Sequence, residues 1–125
     1  MGSIMDYLFE SSSRPIKILD GTQYTAEVIA ELMDNHYKAD YELGGIGRSQ
    51  FYCGIASDMY QNRSRHENED GHQIEYTCVF ECKDALIAGL VEQLMKEKGY
   101  DIGDTDTFAN GGKESSVFVY LYKKY

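Results

Sequence analysis

The stretch Tyr41 to Glu67, YELGGIGRSQFYCGIASDMYQNRSRHE, decides the reading of the chain, because turn, strand, cap and helix signals follow one another in it without a break. Gly44, Gly45 and Gly47 offer the positive φ angles that a tight turn needs. Phe51 to Ala56 alternates and β-branches like a strand, and the run ending at Leu43 is expected to pair with it as an antiparallel hairpin. Ser57 can then accept a backbone N–H from the first turn of a helix running from about Asp58 to His66, and Asp58 adds negative charge at that helix's positive end. The predicted unit is a hairpin followed by a helix.

Towards the N-terminus, residues 1–15 read as an arm, with Tyr7-Leu8-Phe9, three serines and the single proline, Pro15. Residues 16–125 read as one domain. Ile16 to Leu19 suits a short edge strand before an Asp20-Gly21 turn, and Thr25 caps a helix to about Asn35 with Val28, Ile29, Leu32 and Met33 on one face. Towards the C-terminus, Ile74 to Cys82 alternates as a strand, placing Ile74, Tyr76, Cys78, Phe80 and Cys82 on one buried face and leaving the other mostly wet. Asp84 caps a helix whose stripe of Ala85, Leu86, Leu90, Val91, Leu94 and Met95 ends at Gly99. A polar loop around Asn110-Gly111-Gly112 leads to a last strand, Val117 to Tyr122. The class expected is α+β, a small, mostly antiparallel sheet of three central strands plus edge strands, flanked by helices.

A net charge of −9 runs against a broad nucleic-acid surface, which normally carries a surplus of lysine and arginine. The cations that can make a local one are Arg48, Arg63 and Arg65 near the turn, with Lys113, Lys123 and Lys124 later in the chain; scattered solvated charges are the plain alternative. Cys53, Cys78 and Cys82 fit neither a paired metal motif nor a disulfide framework, so buried thiols in a reducing cytosol are expected. The first residues have neither a basic start nor a long apolar run, so no membrane contact and a cytoplasmic location are expected.

Ten residues separate Tyr41 from the triplet Tyr52-Cys53-Gly54, and His66 lies twelve beyond Gly54. This spacing resembles the core of the GIY-YIG nuclease superfamily, over roughly Lys38 to Gly112. Ala39-Asp40-Tyr41 keeps the tyrosine of the first triplet, and Tyr52-Cys53-Gly54 keeps two residues of the second. The family's arginine position is Asn62 here, with Arg63 and Arg65 nearby on the same helix; at about 100° per residue Arg65 lies about 60° from that position and Arg63 further round. Glu92, in Ala88-x-x-x-Glu92, matches the family's metal-holding glutamate.

The resemblance implies metal-dependent hydrolysis of a DNA or RNA phosphodiester, with Mg²⁺ or Mn²⁺ on Glu92 and Tyr41, Tyr52 and His66 around the attacking water. Arg63 or Arg65 would replace the missing cation, since asparagine lacks the charge that stabilises a phosphoryl-transfer transition state. Each residue also has a plain reading. Glu92 suits a solvent-facing helix position, His66 a favourable charge at a helix C-terminus, and the two tyrosines, out of eleven, the edge of a core. The alternative function is a fold that no longer cuts and instead binds or inhibits a protein that handles nucleic acids. The acidic balance, Asn62 and the many tyrosines suit that alternative. A third is a module that takes a nucleotide-like ligand.

Overall fold

The computed structural model describes residues 14–103 and 115–125. Most of the expected arm, and the loop carrying Asn110 and Lys113, lie outside them. Among the described residues the strands are β1 (Leu19–Asp20), β2 (Phe51–Ala56), β3 (Tyr76–Glu81) and β4 (Phe118–Lys123), and the helices are α1 (Ala26–Asp40), α2 (Met59–Asp70) and α3 (Ala85–Glu97). The four strands form one sheet in the order β1-β3-β4-β2. β4 is antiparallel to both its neighbours, and β1 runs parallel to β3. The class is α+β with a mixed sheet.

Helices cover both faces. On one, α1 and α3 bring Ile29, Met33, Val91 and Met95 against Cys53, Phe80, Val119 and Leu121. On the other, α2 brings Met59 against Ile74, Val79, Tyr120 and Tyr122, a smaller core rich in tyrosine. No described helix is long and apolar enough to cross a membrane. The three cysteines are free and buried. Burial pushes the Cys82 thiol up to about 12, with the Asp84 and Glu81 carboxylates adding to it.

The expected hairpin does not form. α1 runs to Asp40, five residues past the expected Asn35, because Tyr37 on its last turns is a core residue whose hydroxyl donates to the Ile46 carbonyl. Tyr41 therefore ends a helix, and the chain reaches β2 through two short 3-10 turns, Glu42–Gly44 and Arg48–Gln50. Of the three turn glycines only Gly45, with φ 79°, uses the left-handed region. The antiparallel partner of β2 is β4, in the register Tyr52↔Tyr122 and Gly54↔Tyr120.

Two further expectations are corrected. Asp58, not Ser57, caps α2, accepting from the amides of Tyr60 and Gln61 at 3.0 and 3.1 Å, and the helix continues to Asp70 until Gly71, with φ 72°, ends it. In β3 a register shift between Tyr76 and Cys78 breaks the alternation. Ile74 and Tyr76 consequently pack with Val79 on the α2 side, while Cys78, Phe80 and Cys82 face α1 and α3. Of the set expected to be wet, Gln73, Glu75 and Glu81 are exposed, and Val79 is the buried exception.

Candidate functional site

The strand–helix unit β2–α2 carries most of the polar chemistry. β2 points alternate side chains to opposite faces, so Phe51 and Cys53 enter the α1/α3 core while Tyr52 faces α2. Gly54 keeps the space beside Tyr52 open: a Cβ there would lie 2.6 Å from Cζ of Tyr120 and 2.9 Å from the Tyr52 ring. The Tyr120 hydroxyl occupies that space. β4 delivers it together with Tyr122, and these, not Tyr41, are the tyrosines next to Tyr52.

α2 supplies Asn62 and His66, one turn apart. Tyr76 Oη donates to Asn62 Oδ1 at 2.7 Å, and Asn62 Nδ2 donates to Tyr120 Oη at 3.2 Å. Tyr120 Oη lies 2.9 Å from His66 Nε2, and Tyr122 Oη lies 3.1 Å from His66 Nδ1. Arg65 Nη2, which can only donate, also lies 3.5 Å from His66 Nε2, so Nε2 is the accepting nitrogen, Tyr120 donates to it, and the imidazole proton on Nδ1 is donated to Tyr122. The result is one continuous chain, Tyr76–Asn62–Tyr120–His66–Tyr122.

The electrostatics fix the protonation of this chain. Burial, aided by the nearby Arg65 guanidinium, lowers the His66 pKa, so the imidazole is neutral at neutral pH. Burial raises Tyr76 and Tyr120 far above the ordinary phenol range and pushes Tyr122 up to about 12. Tyr52 is also raised, by burial first and then by the charge of Glu92. All four hydroxyls are thus protonated at neutral pH, not ionised as bases.

The candidate residues are divided by the fold. Tyr52, Arg65 and His66 line one cleft of about 480 Å³ with Tyr122 and Lys124, bordered by Glu69 and Asp70. Arg63 turns away from it: the residue is 5% exposed, and its guanidinium donates to the Arg14 carbonyl at 3.0 Å and lies over the Tyr60 ring. Tyr41 packs on Phe51, with ring centroids 4.8 Å apart, in the α1/α3 core on the far side of the sheet from Tyr52.

Glu92 is 3% exposed, on the same stripe of α3 as Ala88, Val91 and Met95. It is not the solvent-facing residue of the plain reading. A hydrated Mg²⁺ or Mn²⁺ ion wants several oxygen ligands and keeps several waters. Among the described residues no group of three His, Cys, Asp or Glu side chains that could hold a metal ion is found.

Tyr76, Tyr120 and Tyr122 are the polar residues that spacing does not single out. The alternation of Phe118, Tyr120 and Tyr122 puts three aromatic rings on one face of a strand, which is the one signal the sequence holds for them. Comparisons with protein-family models, with curated proteins and with solved structures give no match for this chain.

Proposed function

We propose that this chain is a catalytically degenerate relative of the GIY-YIG nucleases that binds a protein partner which handles nucleic acids. One observation carries the reading. The two α2 positions to which the resemblance assigns cation and base, Asn62 and His66, are both spent on the buried tyrosine chain: Asn62 bridges two hydroxyls, and His66 has a hydroxyl at each ring nitrogen. A base whose nitrogens are both engaged has no lone pair to offer an attacking water. The net charge of −9 and the acidic border of the cleft, Glu69 and Asp70, suit a basic partner surface, with Tyr52 and the exposed Tyr125 as aromatic contacts.

The test has two arms. The chain should not cleave DNA or RNA with Mg²⁺ or Mn²⁺. It should bind at least one basic nucleic-acid-binding domain from a defined panel, with affinity falling about tenfold on Glu69→Lys with Asp70→Lys. Binding unaffected by that charge reversal would sink the partner assignment.

A second reading, a working nuclease, is favoured by the gathering of Tyr52, Arg65, His66 and Lys124 in one cleft. Cleavage by the wild type that is lost in Arg65→Ala and kept in Arg63→Ala would establish it in place of the first.

A further inference from the structure

A second cavity, of about 460 Å³, opens between the edge of β3 and the segment 14–19. β1 pairs only with Phe80 and Glu81 of β3, so the earlier part of that strand, Tyr76 to Val79, lines the cavity instead. Three features point to what it holds. First, Arg63 is a buried cation whose carboxylate partner is missing among the described residues. Among the described residues it donates to the Arg14 carbonyl and lies over the Tyr60 ring, and Glu67, one turn along the same helix, accepts from Arg14 at 2.7 Å and from the Ile74 amide at 2.8 Å. Burying a charge without an opposite charge is strongly unfavourable, so the guanidinium is set for an anion.

Second, Thr77 Oγ1, at the irregular position of β3, is buried without a hydrogen-bond partner among the described residues. Thr77 is one of the residues that line this same cavity, and an unpaired buried hydroxyl also costs stability until something pairs with it. Third, the lining is locally basic: Lys17 and Arg63, beside an Arg14 already paired with Glu67, stand against the single acid Glu75, in a protein of net charge −9.

We propose that this cavity binds the oxyanion group, phosphate or carboxylate, of a small organic molecule. Arg63 meets the oxyanion with a two-pronged, charge-assisted contact, Thr77 donates its hydroxyl proton, and Lys17 closes the open side. The volume lies in the lower part of the range for small-molecule sites, roughly 300–1,000 Å³, enough for a ligand of mononucleotide size. The site is separate from the cleft of Tyr52 and Arg65 and does not depend on the function proposed for that cleft.

Calorimetric titration of the full chain at constant ionic strength, with AMP, inorganic phosphate, citrate and adenosine, tests it. At least one oxyanion should bind with Kd below about 1 mM, and adenosine should not. Binding of AMP or phosphate assigns a phosphate ligand, and binding of citrate alone assigns a carboxylate. Arg63→Gln should weaken binding at least about tenfold, Lys17→Gln about threefold, and Lys96→Gln, exposed on α3, not at all. The Lys17 and Lys96 pair decides the matter even where Arg63→Gln fails to fold. No binding by any of the three oxyanions, a folded Arg63→Gln that binds like the wild type, or equal weakening by the two lysine variants overturns the proposal.

Discussion

Two cavities of similar size open on different faces of α2, and they differ in what the chain has put in them. The cleft of Tyr52, Arg65 and His66 has its charges balanced, Arg65 and Lys124 against Glu69 and Asp70, and its histidine is engaged at both nitrogens. The cavity beside β3 has an excess of cations and, among the described residues, an arginine without a carboxylate and a hydroxyl without a partner. Between them runs the chain of hydroxyls, with Tyr76 lining one cavity and Tyr122 the other. The difference teaches that motif spacing leads to the side chains already satisfied within the protein, whereas unsatisfied polar groups mark the place where something else binds.

The strongest way to break the comparison is Asn62→Arg, which restores the family residue. Asn62 is 5% exposed among tyrosines, so the new guanidinium would be buried without a counter-charge, and the variant should lose about 3–5 kcal/mol of stability in urea unfolding. A variant as stable as the wild type would mean that this position opens onto the cleft and that its asparagine is not structural. Next comes Gly54→Ala, whose methyl group would meet the buried Tyr120 ring. It should cost about 2–3 kcal/mol and disturb His66, seen as a shift of its imidazole NMR signals.

The pH dependence of stability sharpens the contrast from the side of the cleft. The His66 pKa in the folded chain lies below its ordinary 6.5, so at low pH the unfolded state binds the proton more readily. Its contribution is fully present above 6.5 and is lost as pH falls from there towards the folded pKa. His66→Gln should flatten that limb of the curve. A separate acid limb belongs to Asp34, whose carboxylate is held down to about 2, against its burial, by hydrogen bonds from Arg48 and Tyr100. That limb lies between 3.8 and about 2 and should disappear in Asp34→Asn. The smallest effect is expected beside β3: Thr77→Val removes an unsatisfied hydroxyl and should stabilise the free chain by up to about 1 kcal/mol. A loss of similar size would show that the hydroxyl is already paired.

The elements around residue 51 were legible because they obey local rules: alternation marks β2, a cap and a glycine bracket α2, and a stripe marks α3. Where the reading failed, a distant residue decided. Gly44, Gly45 and Gly47 suggest a hairpin, yet Tyr37, seven or more residues earlier, gains more by entering the core than the turn offers. The alternation of β3 looked regular from Ile74 to Cys82, but a shift at Thr77 changes which residues share a face, and no composition signal announces it. The cleft was partly legible, since Tyr52, Arg65 and His66 lie close in sequence. The β3 cavity was not, because it needs Arg14 and Lys17 beside residues about 50 to 60 positions later.

The strand at the centre of the sheet is the last of the four to be synthesised. β4 is the one strand that pairs with β2, and it covers the side of β3 that β1 does not, so when their residues leave the ribosome β2 has no neighbour and β3 has β1 alone. At roughly 5–20 residues per second, β2 waits several seconds for residues 118–123. Through that interval Cys53 lacks its strand partner Leu121, and the pairing open to β2 is with another copy or a chaperone. Synthesis paused before Phe118 would therefore leave a sticky chain, whereas a few residues more would close both edges at once.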